Sequence, residues 1–508
     1  MPLPPVHLAI LQPEGYLHAQ GFLDQARYLR YQFRRLGAEV TLAKNRLRED
    51  AVNLVFGAHL GFPPEWQRRH ACLFVNLEQL GQGGASVRPE YLELLRRSAV
   101  VDYDAANIAA YGQDPDDVPL ISFAHAPYLD QPSPPLEERP IDLLFFGSMN
   151  PRRQAFLARI EACGVTVSSF DHPLYGEERD HFLRQAKAVV NCHFYETSRF
   201  EQARAFHCLS LGTPFISERA PQACPPAAFE PAVFWLDDAR LESFFRTHFG
   251  TPAFYAEARA RLAAFRQVDP VEQYADLLAF ATGLFQAHTR TRPAGPWRPE
   301  RLNLTDGEAY QPGWLNVSDQ ALDQPDLLAA LPALPLDGRL LATAGGAQVQ
   351  LAPDSLAQVR AGAALQSTAD LPALMDRLLQ LLREGGELVL EVPARHGPLA
   401  ARHPGRRRDF DDNSWLPFTE QFWRSGWLTH RFEVASGQWV DLQRQPCAKP
   451  QAVWLQLTLR KVGTTARERT VARAHRTDFG DVPEDILPAW RDADAPDACP
   501  ASPAPLAT

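Results

Sequence analysis

The sequence has no Cys-x-x-Cys pair, no apolar run long enough to span a bilayer and no excess of positive charge. Seven cysteines scattered over 508 residues argue against a disulfide scaffold or a structural zinc site and fit a reducing compartment. A membrane-spanning helix needs about 18 consecutive apolar residues. The expectation is therefore a chain without a transmembrane segment, with peripheral membrane association left open. The start, Met-Pro-Leu-Pro-Pro-Val-His, lacks the charged and apolar regions of a signal peptide, so the expected location is cytoplasmic. With 51 Lys and Arg against 61 Asp and Glu, the net charge is −10, which leaves no nucleic-acid footprint. The small basic clusters Arg406-Arg407-Arg408 and Arg290-Thr-Arg292 read as solvated loops. A Gly-x-Gly-x-x-Gly fingerprint is missing as well.

A hydrophobic fraction of 45% suffices for real cores, and this length suggests about three domains. Two proline-rich links, 131–140 and 289–299, punctuate the chain. They divide it into domains at 1–132, 133–288 and 300–462, with 289–299 as linker. Residues 463–508 read as a mostly disordered tail with a docking segment at Ile486–Trp490. In the first domain, residues 5–11, 38–42, 54–56, 72–76 and 100–101 read as strands. A helix from about Gly21 to Leu36 presents Phe22, Ala26, Leu29 and Phe33 on one face. Such alternation implies a parallel sheet with helices on both faces.

The most informative stretch is Ala188–Glu218. An apolar run breaks into Asn191-Cys-His193-Phe-Tyr-Glu196, and Phe200, Ala203, Phe206 and Leu209 then follow at helical spacing. Gly212 stands where a helix-ending glycine belongs, and Phe215-Ile216 opens another strand. This is a βαβ unit, and ligands in such sheets bind outside the carboxyl ends of the strands. His193, Glu196 and Glu218 fall at those ends, with Glu201 and Arg204 near the helix start. Upstream, Gly147-Ser148-Met-Asn-Pro-Arg152-Arg153 is a glycine turn feeding a helix through about Ala162. Its free N–H groups and dipole make it a phosphate site by geometry, and the two arginines add charge. Residues 253–286 repeat Ala, Leu, Phe and Arg at helical period.

The Asn-x-His-x-Tyr-Glu strand end, the Phe-Glu-x-x-Arg helix, the Gly-x-Pro and the Ile-Ser-Glu strand end resemble the donor half of a bacterial GT-B glycosyltransferase of the "glycosyl transferases group 1" type. The Gly15-Tyr16 loop, the Asn-x-Glu-x-Leu segment at 76–80 and the Asp-Tyr-x-x-x-Asn-Ile segment at 102–108 are similar to its N-terminal half. The resemblance thus covers roughly the first 285 residues in separate patches. It implies an α/β fold of two Rossmann-like domains in GT-B arrangement, with the last helix crossing back to the first domain. It also implies a hexosyltransferase using a UDP-, dTDP- or GDP-sugar, with a polysaccharide, lipid-linked or protein acceptor and a role in cell-surface polysaccharide. By the same resemblance, no cofactor is required and no metal is expected. Gly147, Ser148, Arg152, Arg153, His193, Glu196, Glu201, Arg204 and Glu218 are the candidate donor-binding residues. His18, in the loop after the first strand, and Glu78 are the candidate catalytic residues. Many relatives place a donor-ribose Glu where this chain has His207.

Residues 301–317, together with the helix at 371–382, the turn at 383–386 and the strand at 387–392, resemble a class I methyltransferase, a third Rossmann-like domain. Of the glycine-rich S-adenosylmethionine loop only Gly307 remains, beside Thr305 and Asp306. Gln366-Ser-Thr-Ala-Asp370 replaces the family's His-x-x-Glu-His. The domain is expected to be cofactor-free, a scaffold or acceptor-recruiting module. Two rivals stay open: a bifunctional enzyme that also transfers methyl groups, and a non-catalytic pseudo-glycosyltransferase motivated by His207.

Overall fold

The protein is described by a computed structural model covering residues 3–13, 15–170, 172–195, 199–219, 224–305, 310–362, 364–395, 397–399 and 405–475. The expected docking segment Ile486–Trp490 lies outside the described residues, as does Gly307. The chain divides into two units, Met1–Gly295 with Thr343–Ala347, and Pro296–Ala342 with Gln348–Thr508.

Unit 1 holds two five-stranded parallel sheets. The first comprises β1 (Val6–Ile10), β2 (Val40–Lys44), β3 (Val52–Phe56), β4 (Ala71–Val75) and β5 (Ala99–Val101) in the order β2-β1-β3-β4-β5. Every residue of β1, β3 and β4 is buried, as expected of strands covered on both faces. Its helices are α1 (Leu23–Arg35), α2 (Pro89–Arg97) and α3 (Ala105–Tyr111). The second sheet comprises β6 (Ile141–Phe145), β7 (Val167–Ser169), β8 (Ala186–Asn191), β9 (Phe215–Glu218) and β10 (Phe234–Leu236) in the order β10-β9-β8-β6-β7. Around it run α4 (Pro151–Glu161), α5 (Gly176–Gln185), α6 (Gln202–Ser210), α7 (Leu241–Thr247), α8 (Pro252–Arg266) and α9 (Val271–Thr291). Both sheets are Rossmann-like, as the resemblance implies.

Three local expectations shift. The first helix does not begin at Gly21: residues Leu17–Phe22 form a tighter 3₁₀ turn, and α1 starts at Leu23. Phe200 precedes α6 instead of belonging to it. The helical period over 253–286 is carried by two helices, α8 and α9, separated at 267–270. Pro270 has no N–H to continue α8, and its carbonyl accepts from Tyr274 N–H in the first turn of α9. α9 then packs on β3, β4 and α1, the crossing back to the first sheet. Tyr28, Phe123, Phe206 and Tyr274 join the two halves in one aromatic cluster. Tyr28 lies 5.4, 5.1 and 5.7 Å from the other three ring centroids.

His7 in β1 carries a test of this core. Its Nε2–H donates to the Arg46 carbonyl at 3.1 Å, so Nδ1 accepts from the Thr41 hydroxyl at 2.7 Å. Burial lowers its pKa to about 4. A depressed histidine contributes stability that is complete above the unfolded value near 6.5 and is lost as pH falls toward 4. The full shift corresponds to about 3 kcal/mol at about 1.4 kcal/mol per unit. Urea unfolding at about pH 7 and about pH 4.5 should show a larger acid loss for the wild type than for His7→Gln, by about 2–3 kcal/mol. Equal losses would contradict the neutral buried state.

Unit 2 is built on a seven-stranded sheet in the order β13-β12-β11-β16-β17-β19-β18. The strands are β11 (Arg301–Leu304), β12 (Leu315–Ser318), β13 (Leu327–Leu328), β16 (Leu356–Ala361), β17 (Leu382–Pro393), β18 (His430–Val440) and β19 (Trp454–Gly463). A small hairpin, β14 (Leu340–Ala342) and β15 (Gln348–Gln350), stands apart from it. The first five strands pair in parallel, while β19 runs antiparallel to both β17 and β18. Helices α10 (Ala364–Ser367), α11 (Leu371–Leu381) and α12 (Ala466–His475) complete the unit. Leu388, Leu390, Leu455, Leu457 and Leu459 form the buried face with Leu374, Met375 and Leu378 of α11. The opposite face carries half-buried Gln358, Arg360, Glu391, Gln456 and Thr458. The sheet is thus Rossmann-like in its parallel strands and two-layered in its packing.

Candidate active-site cleft

The carboxyl ends of both unit 1 sheets border a cleft of about 960 Å³, within the range of small-ligand sites. His18, Glu78, Gly147, Ser148, Arg153, Glu201 and Arg204 all line it. Gly147 lines it at φ +139°. A Cβ there would lie 3.0 Å from Arg204 Nη2 and 3.1 Å from Arg153 Nη1, so the two guanidinium groups close onto bare backbone. Only glycine tolerates both the conformation and that approach.

The two arginines have different duties. Arg153 is buried, and its Nε donates to the Cys192 carbonyl at 2.9 Å while Nη1 donates to the Ser148 carbonyl at 2.8 Å. Its Nη2 donates to Glu201 Oε1 at 3.1 Å. Arg153 therefore clamps the 147–150 loop to the end of β8. Arg204 donates from Nη1 to Asn191 Oδ1 at 2.9 Å, pairs through Nη2 with Glu201 Oε2 at 2.8 Å, and lies over the Phe146 ring at 5.1 Å. Two guanidiniums and one carboxylate give this group a formal charge of +1. At the α4 N-terminus, Asn150 Oδ1 accepts the Arg153 N–H at 2.8 Å and Pro151 has no N–H, so Arg152 supplies the remaining backbone donor ahead of Arg153.

On the opposite wall, the 76–80 segment is fixed by buried amides. Asn76 Nδ2 and Asn107 Nδ2 donate to the two oxygens of Asp102 at 2.8 and 2.7 Å. Asn76 Oδ1 accepts from Tyr91 Oη at 2.9 Å and from Glu78 N–H at 3.2 Å. Asn107 Oδ1 accepts from Leu80 N–H at 2.8 Å. This network is why the Asn-x-Glu-x-Leu and Asp-Tyr-x-x-x-Asn segments go together, and it presents Glu78 to the cleft. His18, His59 and Glu78 share a side recess of about 300 Å³. His59 Nε2 lies 3.5 Å from Glu78 Oε1, and His18 Nδ1 lies 2.8 Å from the Tyr175 hydroxyl. Burial pulls the His59 imidazole below its ordinary value, against the upward pull of Glu78.

A buried ionic cluster lines the cleft between these walls. Arg179 Nη1 donates to Asp24 Oδ2 on α1 at 2.7 Å, and Nη2 donates to Asp180 Oδ1 at 2.7 Å. His207 Nε2 stands 2.8 Å from Asp180 Oδ1 and 2.7 Å from Arg179 Nη2. A guanidinium only donates, so neutral His207 accepts from Arg179 there, and protonated His207 donates to Asp180. Burial alone would raise the Asp180 pKa. The His207 and Arg179 contacts overcome it and hold the carboxyl below its ordinary value.

Arg152, His193 and Glu218 are among the candidates but do not line the cleft; they form a group behind β8. Arg152 Nη1 donates to Glu218 Oε2 at 2.9 Å and to the His193 carbonyl at 2.9 Å. Burial would raise the Glu218 pKa, and Arg152 brings it below the carboxylate norm. His193 is buried with both ring nitrogens lacking hydrogen-bond partners among the described residues, and burial lowers its pKa. Glu196 lies outside the described residues. Sequence reading misses Asp24, His59, Tyr175, Arg179 and Asp180. Only His59 carries a local signal, since it stands three residues past the end of β3.

At the start of unit 2, Gly307 of the expected S-adenosylmethionine loop lies outside the described residues. β11 passes to β12 through 305–314 with no helix among the described residues. The buried amides there are spent internally: Asn303 Nδ2 donates to Asn316 Oδ1 at 2.9 Å, and Asn316 Nδ2 donates to the Gln311 and Trp314 carbonyls, both at 2.9 Å. No helix of the described residues is long and apolar enough to cross a membrane.

No protein-family model matches the chain. Among curated proteins it is similar to the uncharacterized protein L140 of Acanthamoeba polyphaga mimivirus, 26% identical over 148 residues, covering 27% of this chain and 44% of the relative. The chain thus spans less than half the length of that relative. Among solved structures it is similar to AviGT4, a glycosyltransferase involved in avilamycin A biosynthesis, at 19% identity and TM-score 0.35, covering 55% of this chain and 99% of the other. A glycosyltransferase from Rickettsia africae is 7% identical at TM-score 0.36, covering 56% and 100%. A SAM-dependent methyltransferase from Thermotoga maritima, a possible histamine N-methyltransferase, is 12% identical at TM-score 0.22, covering 34% and 86%. At these scores the fold of this chain rests on its own strand orders.

Proposed function

We propose that unit 1 is a glycosyltransferase of the hexosyltransferase type, which moves a sugar from a UDP-, dTDP- or GDP-sugar to a polysaccharide, lipid-linked or protein acceptor. The observation that carries this reading is the closure of Arg204 and Arg153 on Gly147 within a cleft of about 960 Å³. A diphosphate seated there meets Arg204, the backbone of the 147–150 loop and the α4 N-terminus. Positive charge aimed at a leaving diphosphate stabilises it as the glycosidic bond breaks. The acceptor oxygen attacks the anomeric carbon, the nucleoside diphosphate leaves with the bonding electrons, and Glu78 takes the acceptor's proton. His59 stands beside Glu78, and Tyr175 holds His18 on the same wall. Glu201 pairs with both arginines and sets their geometry for the diphosphate. Methyl transfer is not part of the proposal, because Gln366-Ser-Thr-Ala-Asp370 replaces the His-x-x-Glu-His of the methyltransferases that unit 2 resembles.

A screen of nucleotide sugars by calorimetry tests the donor class, and the absence of binding to any of them would count against the whole reading. Glu78→Gln keeps the shape of the wall and removes the proton acceptor. It should lower turnover by about 10²- to 10⁴-fold with nucleotide affinity unchanged. Full turnover in this variant would move the base elsewhere, with His18→Ala the next to measure.

A further inference from the structure

The uncovered face of the unit 2 sheet is ordered into rows by its strand registers. Arg360, Val389, Thr458 and Ser436 share one row, and Glu391, Gln456 and Gln438 the next. Gln438 Nε2 donates to Gln456 Oε1 at 2.8 Å, and Gln456 Nε2 donates to Glu391 Oε2 at 2.8 Å. Three strands thereby present a continuous strip of planar polar groups. Trp314, half-buried in the loop before β12, stands at the end of a groove of about 480 Å³ over these rows. The charges in the groove are unequally matched. Glu391 is paired with Arg444. Arg360 has neither an ion-pair nor a hydrogen-bond partner among the described residues.

We propose that this groove binds a glycan chain bearing carboxylate groups, such as a polymer of uronic acids. An indole offers an apolar surface to the C–H face of a pyranose ring. The carboxamides of Gln438 and Gln456 and the hydroxyl of Thr458 both donate and accept, which matches sugar hydroxyls. The unmatched guanidinium of Arg360 selects a carboxylate, for which its planar fork is suited. A second copy of the chain fits less well. A stable interface of about 800 Å² per partner needs an apolar centre, whereas the rows here set a single Val389 among Arg, Glu, Gln, Thr and Ser. The site stands independently of the transfer chemistry of unit 1.

Calorimetry on the full chain with an oligogalacturonate, and with a cello-oligosaccharide of equal length as the neutral probe, tests the proposal. The acidic oligomer should bind, and the neutral one should bind at least about tenfold more weakly. Trp314→Ala should weaken the acidic oligomer by about tenfold or more. Arg360→Gln, a change at a half-exposed position that keeps hydrogen-bonding capacity, should remove the preference for acid over neutral glycan. Circular dichroism checks that both variants fold. The proposal is overturned if neither oligomer binds at millimolar concentration, if both bind equally, or if neither variant changes binding. It is also overturned if sedimentation shows a dimer that Trp314→Ala dissolves, since the face would then belong to a second copy.

Discussion

Arg204→Ala is expected to weaken nucleoside diphosphate binding by about 10- to 150-fold while the chain stays folded. Hydrogen bonds to charged groups contribute about 1.5–3 kcal/mol each, and about 1.4 kcal/mol corresponds to tenfold in affinity. The guanidinium lines the cleft beside Gly147, and its loss takes the Arg153–Arg204–Glu201 group from a charge of +1 to zero. The fold survives because the neighbours keep other partners. Glu201 retains Arg153 at 3.1 Å, and Asn191 Nδ2 still donates to Ser217 Oγ at 3.1 Å. Arg204→Lys should recover part of the affinity as a point charge without the fork. Titration with UDP, dTDP and GDP decides the matter. An unchanged affinity for a nucleotide that the wild type binds would remove Arg204 from the site and with it the main support for sugar transfer.

Arg179→Met should lower the stability of unit 1 by about 3–5 kcal/mol, because removing one partner of a buried ion pair strands the others. Asp24 and Asp180 are both buried, and Arg179 is the cation they share. The pH dependence provides a second readout. In the wild type the depressed Asp180 pKa contributes stability that is present above the unfolded value near 4 and is lost as pH falls through the folded one. Without Arg179 only His207 still opposes burial, so the carboxyl pKa moves up from its wild-type position and the variant loses less on protonation. The gap between wild type and variant should therefore narrow on acidification. Denaturant unfolding of the full chain at neutral and mildly acid pH measures both. A deficit under about 1 kcal/mol, the range of exposed pairs, would show that water reaches the cluster. Arg179→Met with Asp24→Asn should recover part of the loss.

The parallel strands of unit 1 are legible because burial on both faces demands unbroken apolar runs such as Val52–Phe56. The βαβ unit around α6 is legible for the same reason, with Gly212 marking the helix end. The cleft residues that sequence misses depend on partners far along the chain. Asp24 looks like an ordinary acid in the first turn of α1, and only Arg179, 155 positions later, gives it a task. Arg152 and Arg153 look equivalent in sequence, yet Arg152 pairs with Glu218 away from the cleft and only Arg153 lines it. In unit 2 the Leu-Gln-Leu-Thr-Leu-Arg run of β19 alternates strictly. Such alternation indicates one solvated face, and the one-sided sheet of unit 2 is legible in these side chains.

α9 is the last helix of unit 1 to be made, yet it lies on β3 and β4, among the first strands to be made. One apolar face of those strands packs on α2 and α3 residues made earlier, but the face under α9 waits until residue Thr291 has left the ribosome. Closing so long a loop late in the process is slow and exposes an aggregation-prone intermediate. A nascent chain stalled before Val271 should accordingly bind a hydrophobic-surface chaperone, and release should coincide with emergence of α9.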